Sequence, residues 1–558
     1  MSASLLATTG LVAFLLGYFV YSKLIAEKVF QLDADFVTPA HSLEDGIDYV
    51  PTNKFVLWGH HFTSVAGAAP IIGPAVAVIW GWVPAFIWVV LGTVFFAGIH
   101  DFGAIWSSVR HNGRSIGSFT GDLVSKRAQS LFMIIIFLLL LMVNAVFAVA
   151  IAKSLINTPS SVLPAWSAIL VALILGQMIY RFKAGLIWPS VIGLIALYTF
   201  LYLGSSFPLE LPDVVFGLVP NAQWIIIMFA YAAIASMLPV WVLLQPRDYI
   251  NGLQLFIGLG LLYISVFIVN PNVIAPMYNP NPPAGTPPIF PLLFVTIACG
   301  AISGFHSLVG SGTTSKQIDK ETDSRLVGYG GSIGEGLLAL VTIIAVTSGF
   351  SSSEGWHEIY TKFGAGGITA FVEGGASIVS NGLGFSHEFA ATLLAVMAIL
   401  FAGTTMDTGV RLQRYIVQEW GNIYHIPALT NNVVATLIAV GACLALAFGA
   451  GGASGAGGMI IWPLFGTTNQ LLAGLALLVI SLTLLKFGRA IWYALIPMVF
   501  LLVTTILALL YQLWQFIDTG KWLLVGMDLL ILIAAAMVAL EALSTLLRER
   551  RRLTASEL

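Results

Sequence analysis

Residues 59 to 74 read GHHFTSVAGAAPIIGP. The stretch lies inside an apolar run from Phe55 to Trp80 that is long enough to cross a bilayer, yet it holds two histidines, three glycines and two prolines. Pro70 has no amide hydrogen and its ring opposes the carbonyl of Ala66, so a helix here is expected to break over Ser64 to Pro70. Backbone freed at membrane depth is tolerated only where protein or water meets it. Its carbonyls can take up a cation, and the amide end of the half-helix that follows, with its partial positive charge, can hold a carboxylate. Glycines such as Gly67 let backbone and ligand approach closely.

The whole chain is built to live in lipid. Of 558 residues 58% are hydrophobic and 9% charged, with a mean hydropathy of +0.93, whereas soluble domains carry about 25% charged residues. A membrane helix needs about 20 apolar residues. Fifteen such runs are centred at 5–22, 56–80, 83–107, 129–152, 162–180, 185–204, 222–244, 250–269, 289–310, 327–349, 387–405, 429–449, 461–485, 490–511 and 521–544. The first is expected to be a retained anchor, because no basic residues precede it and Lys23 and Lys28 follow. Cys299 and Cys443 are the only cysteines and both sit in apolar runs, so neither a disulfide framework nor a thiolate metal site is expected. With the amino terminus outside, 21 of the 24 Lys and Arg fall in loops on the cytoplasmic side, Arg247, Arg411 and Arg414 among them; only Lys153, Lys362 and Lys521 fall outside. The reading is an all-α polytopic membrane protein of about 15 spans with its carboxyl terminus in the cytoplasm.

Between the spans, residues 23–54 form an acidic cytoplasmic loop and 270–288, NPNVIAPMYNPNPPAGTPP, an ordered external one. Residues 407–426 suit a helix lying on the inner membrane surface, and re-entrant pieces fit the Gly-rich parts of 363–386 or 450–460. In FAYAAIASMLPVWVLLQP, residues 229–246, Pro239 opposes Ala235 as Pro70 does Ala66. These two broken helices lie five spans apart and run in opposite directions. That is the trace of an inverted repeat whose broken helices point to a binding site, with halves at 56–204 and 222–405. Three regions result: 1–55, a transport core over 56–405, and 406–558.

Within this frame the candidates for substrate contact are His61, Thr63, Ser64, Gly67, Ala69, Asn144 and Ser236. Ion-coupling candidates are His60, Ala66, Ser303, His306, Ser307 and Thr313, and gating candidates are His100, Asp101 and Asp407. Ionisable groups in a span are functional by default, although hydrogen bonding between neighbouring helices is the competing reading of the histidines. His60 and His61 point about 100° apart on a helix and cannot both face one ligand. His100 beside Asp101 suits a proton relay, an inner gate or a structural ion pair. In CGAISGFHSLVGSGTTSKQ, residues 299–317, Ser303, His306, Ser307 and Gly310 share one face, either completing a sodium shell or making a tight helix contact. Ligand spacing within one helix does not favour a metal site from His60, His61, His100 and His306. HEIYT at 357 and HEFAA at 387 lack the second histidine of a zinc-protease helix.

Taken together, GHHFTSVAGAAPIIGPAVA, FAGIHDFGAIWSSVRHNGRSIG, LPVWVLLQPRDYIN, GAISGFHSLVGSGTTSKQI, FAGTTMDTGVRLQRYI and GGMIIWPLFGTTNQLLAGLAL resemble the carbon starvation protein A family, and the likeness extends over most of the chain. The resemblance implies a bacterial inner-membrane uptake system, induced on nutrient limitation, for peptides or pyruvate, driven by a proton or sodium gradient. It also implies a LeuT-like five-plus-five core of the amino acid–polyamine–organocation superfamily, with a separate C-terminal region after about residue 390. No enzyme activity, metal, further cofactor or nucleic-acid partner is expected; membrane lipid is. Intramembrane acids are few, namely Asp101, Glu335 and Asp407, which leaves a small carboxylate open beside a zwitterionic peptide. A passive facilitator and a membrane starvation sensor are the alternatives, the latter disfavoured by the lack of a soluble signalling domain. No oligomeric state is read from the sequence.

Overall fold

The computed structural model describes residues 1–46, 48–239 and 241–556. Among them the chain is helical, with isolated backbone bridges and no sheet. Thirteen helices are long and apolar enough to cross a membrane, fourteen if one bent pair counts as a span. This is a multi-pass membrane protein.

The first half comprises α1 (Ala3–Val29), the bent pair α2 (Lys54–Ala66) and α3 (Ala69–Trp80), α4 (Trp82–Val109), α5 (Lys126–Asn157), α6 (Pro159–Ile179), α7 (Ile187–Ser206), α8 (Pro220–Met237) and α9 (Leu244–Val269). The second comprises α10 (Ile289–Thr296), α11 (Gly304–Gly312), α12 (Glu321–Ser348), α13 (Ile368–Leu383), α14 (His387–Ile423), α15 (Asn432–Gly451), α16 (Gly457–Lys486), α17 (Trp492–Asp518) and α18 (Trp522–Ser556). Side chains close the free amide ends where the sequence turns into a span. Asn53 accepts from Phe55 N–H at 2.9 Å, Ser125 from Ala128 at 3.0 Å and Ser386 from Phe389 at 3.2 Å.

Burial sorts the helices into centre and rim. The apolar windows of α16, α12, α14 and α5 are 94%, 89%, 83% and 78% buried, and α5 packs along both α14 and α16; α1, α7 and α18 are 28–33% buried and turn their Leu, Ile and Phe side chains outward. The most enclosed helix thus lies after residue 406 and packs on α4, α5 and α11.

Two helices are interrupted, and they meet. α2 and α3 are bent by 49° about Gly67, whose φ of +56° is a conformation that favours glycine. The second interruption is not at Pro239. There α8 simply ends at Met237, Leu238 is extended and a new helix starts at Leu244. The residue before a proline is pushed out of the helical region, so Pro239 separates two spans instead of breaking one, and the run expected at 250–269 begins six residues earlier. The run expected as one helix over 289–310 is the broken one: it leaves helical geometry at Ile297, passes through Gly300 at φ +96° and resumes at Gly304. A Cβ on Gly73 would fall 2.6 Å from the Thr296 carbonyl oxygen, and one on Gly300 would fall 3.5 Å from the Cα of Pro70. The interruptions therefore touch, and they are seven spans apart in sequence, not the five expected from Pro70 and Pro239.

The surface helix expected over 407–426 is also corrected. α14 runs unbroken for 37 residues, and Asp407, Arg411, Gln413 and Arg414 are buried in it. Arg247, Arg411 and Arg414, counted as loop cations, are only 3–6% exposed. Each finds partners within the bundle, described below. Between 363 and 386 the chain forms α13, a 16-residue helix packed on α9, α12 and α14.

Candidate functional site

His60 and His61 do face different ways, and each enters its own polar cluster. His60 Nδ1 stands 3.0 Å from Asp248 Oδ2, the same oxygen that accepts from the Ser64 hydroxyl at 3.0 Å. Asp248 neighbours Arg247 on the first turn of α9, and the two side chains approach to 3.5 Å. Arg247 reaches across to Asp407 on α14, whose carboxylate also accepts from the Tyr231 hydroxyl of α8 at 2.8 Å. One turn before Asp407, Thr404 Oγ1 accepts from Asn251 of α9 at 3.0 Å, and Thr405 Oγ1 leans on the carbonyl of Ser64 at the end of α2. The broken end of α2 is thus held from two sides, by α9 and α14.

A cavity of about 780 Å³ leads from the surface to this point, lined by Asn53, Val56, Gln177, Gln245 and Tyr249 and ending on His60. Beyond His60 a narrower pocket continues to Ser64, Thr313, Lys316, Thr408 and Arg411. Arg411 gives its hydrogen bonds to the carbonyls of Ala235 and Leu238, at 3.0 and 2.7 Å, and its Nε has no protein partner. Both carbonyls lie at the carboxyl end of α8, where Pro239 stops it; that of Ala235 also accepts from the Leu238 N–H at 3.3 Å. Arg411 is therefore a buried cation that no carboxylate pairs with among the described residues, in a pocket beside the interrupted helix whose one lining carboxylate, Asp48, stands 3.8 Å from Lys316. Such a group favours an anion.

The second cluster lies on the other side of α2. Asp101 accepts from both neighbours of α4 and α11: His100 Nδ1 stands 2.7 Å from Oδ1 and His306 Nδ1 2.7 Å from Oδ2, with the Ser332 hydroxyl donating to Oδ2 at 2.6 Å. His306 Nε2 stands 3.2 Å from Glu335 Oε2 of α12. His61 Nδ1 meets Thr314 Oγ1 at 2.9 Å. Among the described residues no group of three or more His, Cys, Asp and Glu is arranged to hold a metal ion.

The profile described as "Carbon starvation protein CstA" matches residues 2–361 and 352–508. The chain belongs to this family. It is 34% identical over 577 residues to the "Peptide transporter CstA" of Campylobacter jejuni, covering 91% of this chain and 80% of that protein. It is 31% identical over 590 residues to the "Pyruvate/proton symporter BtsT" of Escherichia coli, covering 91% and 81%. Its fold is similar to crystal structures of the Eremococcus coleocola manganese transporter, with a TM-score of 0.55 at 12% identity for one in complex with an aromatic bis-isothiourea compound, covering 91% of this chain and 99% of that one. At that identity the likeness concerns fold alone. This CstA-family chain is a transporter and not an enzyme.

In the CstA-family chain the candidate residues fall into three groups. His60, Ser64, Ala66, Gly67, Ala69 and Asp407 lie at or beside the α2–α3 break, with Thr63 facing Gly252 of α9 and Thr313 lining the pocket. His61, His100, Asp101 and His306 gather on the far side. The rest make helix contacts: Asn144 donates to Gln413 at 3.1 Å, Ser236 Oγ to the Ala233 carbonyl at 3.0 Å, Ser307 to the Gly304 carbonyl at 2.7 Å, and Ser303 shares Asn469 with the Phe305 N–H. The sequence does not mark Arg247, Asp248 and Arg411 as site residues, the first two because charges beside Pro246 at the edge of an apolar run read as loop, the third because 407–426 reads as a surface helix. Their signal was the i, i+4 spacing of Asp407 and Arg411 within a stretch otherwise fit to be buried.

Proposed function

We propose that the chain is a proton-coupled symporter that brings small carboxylate-bearing solutes, a short peptide or pyruvate, into the bacterial cell across the inner membrane by alternating access. The reading rests above all on Arg411, a buried cation that no carboxylate pairs with among the described residues and that faces Ser64 and the interrupted helix at the end of an open cavity. The cargo carboxylate pairs with Arg411 and accepts from the main-chain amides of Gly67 and Ala69 at the start of α3, while Ser64, whose hydroxyl donates to Asp248, lines the pocket. Transporter relatives named for peptides and for pyruvate with protons support the class of cargo and of driving ion. The cavity and the pocket beyond it are lined by Arg181 and Lys316; a basic lining is what the positive-inside bias expects of a cytoplasmic face, which supports an amino terminus outside and an inward-facing form.

The test is uptake into proteoliposomes of labelled pyruvate and of a labelled dipeptide, under imposed proton or sodium gradients. Accumulation of at least one cargo above its outside level, driven by an inward proton gradient, is expected. Equilibration without accumulation marks a passive facilitator, and uptake of neither compound removes the reading.

A further inference from the structure

We infer that the coupling proton resides away from the cargo pocket, on the buried chain Asp101–His306–Glu335, with Glu335 as the group that gains and loses it. This rests on the symport reading above and adds to it where the ion sits.

The two clusters beside α2 differ in how their charge is compensated. Around Ser64 the carboxylates of Asp248 and Asp407 have a fixed cation, Arg247, between them. On the far side neither Asp101 nor Glu335 is ion-paired to any Lys or Arg among the described residues; every ion pair they make is to an imidazole. His61, His100, Asp101, His306, Ser332 and Glu335 are each at most 1% exposed. Charge buried this deeply is costly unless neutralised, and here only protons can do it. One imidazolium at His306 balances Asp101; Glu335 then demands a second proton or remains as the cluster's uncompensated charge. Four ring and carboxyl atoms of the cluster, His61 Nε2, His100 Nε2, His306 Nε2 and Glu335 Oε1, have no hydrogen-bond partner among the described residues, so the cluster's own contacts leave it unsatisfied.

Placement couples this group to the helices that must move. His306 sits on α11, the second half of one interrupted helix, and His61 on α2, the first half of the other. The Gly300 N–H, inside the second interruption, lies against the Glu335 carboxyl. The other ionisable groups facing the cluster are the Cys299 thiol beside Glu335, His60 behind His61, and the Tyr263 hydroxyl of α9, which donates to the Leu337 carbonyl at 2.7 Å. His61 lies between the cluster and the pocket: it packs against Gly331, the residue before Ser332, and its Nδ1 meets Thr314, the chain neighbour of the Thr313 that lines the cargo pocket. In the step proposed, the Glu335 carboxylate takes up H⁺ from the outer side to give the neutral acid. It releases H⁺ through His61 to water in the inner cavity once the interrupted halves have shifted, and no other bond changes.

Glu335→Gln, close in size and permanently neutral, separates the roles. Expected is loss of proton-driven accumulation with cargo exchange at equal pH retained, since exchange needs the pocket and not the proton cycle. Cargo-induced infrared difference spectra of the wild type should show a carboxylic acid C=O band that Glu335→Gln removes. Proton-driven accumulation by Glu335→Gln at the wild-type level overturns the inference, as does a wild-type spectrum without such a band, which needs no variant to fold. Accumulation driven by sodium at constant pH overturns it too while leaving symport intact; failure of the wild type to accumulate any cargo removes the symport reading itself.

Discussion

Asp407→Asn is expected to destabilise the protein by about 3–5 kcal/mol, because it strands Arg247 in the interior without its carboxylate. Arg247 is 3% exposed and its guanidinium shares Asp407 with the Tyr231 hydroxyl; Asp248 is 3.5 Å away and is already engaged by His60 and Ser64. Thermal unfolding in detergent measures the loss. The double variant Arg247→Met with Asp407→Leu removes both charges and is expected to recover part of the stability, since an apolar pair of similar volume commonly matches a buried ion pair; Asp248, which also faces Arg247, is left to His60 and limits the recovery. Uptake is not expected to return with it. The pair joins α9 to α14 on either side of the broken end of α2, and on the symport reading its making and breaking is part of closing the path. A double variant that is both stable and fully active would reduce the pair to a structural brace.

Arg411→Gln is expected to weaken cargo binding by about 1.5–3 kcal/mol, the value of a hydrogen bond to a charged group, seen as roughly a ten- to hundredfold rise in KM. Arg411→Lys should restore part of it, keeping charge but losing the planar fork. The side chain also ties down the Ala235 and Leu238 carbonyls, so a folding defect must be told apart from a binding defect. Arg414 supplies the control. It lies one turn along α14, donates to the Ser236 carbonyl at 2.7 Å and does not line the pocket. Arg414→Gln is therefore expected to lower stability with KM unchanged. Equal KM effects from both variants would contradict the assignment of Arg411 to cargo.

How legible the site is in the sequence follows from which physical cue marks each part. The break at Gly67 is legible because a proline stands three residues on, inside a run otherwise long enough to span, and glycine supplies the positive φ. Pro239 carries the same cue and means something else: the run around it is long enough for two spans, and nothing local distinguishes a kink from a terminus. The true second interruption, IACGAIS over 297–303, contains no proline and is almost wholly apolar. Its only mark is Gly300, and the close approach that requires glycine there comes from α12 and α3, which are distant in sequence. The divergence of His60 and His61 follows from helical geometry alone, whereas their partners Asp248 and Thr314 do not, because partner choice is set by helix packing. Asn144 shows how a candidate's side chain finds another helix, donating to Gln413 of α14. A polar group in a span is as easily spent on a neighbouring helix as on a ligand.

The most direct measurement of where cargo sits uses Thr313→Cys, at a partly exposed position that lines the pocket together with Ser64 and Arg411. Cys299 and Cys443 are 7% and 0% exposed, so a hydrophilic maleimide added from the cavity side should label mainly the introduced thiol, at the inner end of the cavity beyond His60. Pyruvate or a dipeptide at saturating concentration is expected to protect that thiol, and Arg411→Gln to abolish the protection. Labelling at the same rate with and without cargo, in a variant that still transports, would contradict a binding place at the interrupted helix.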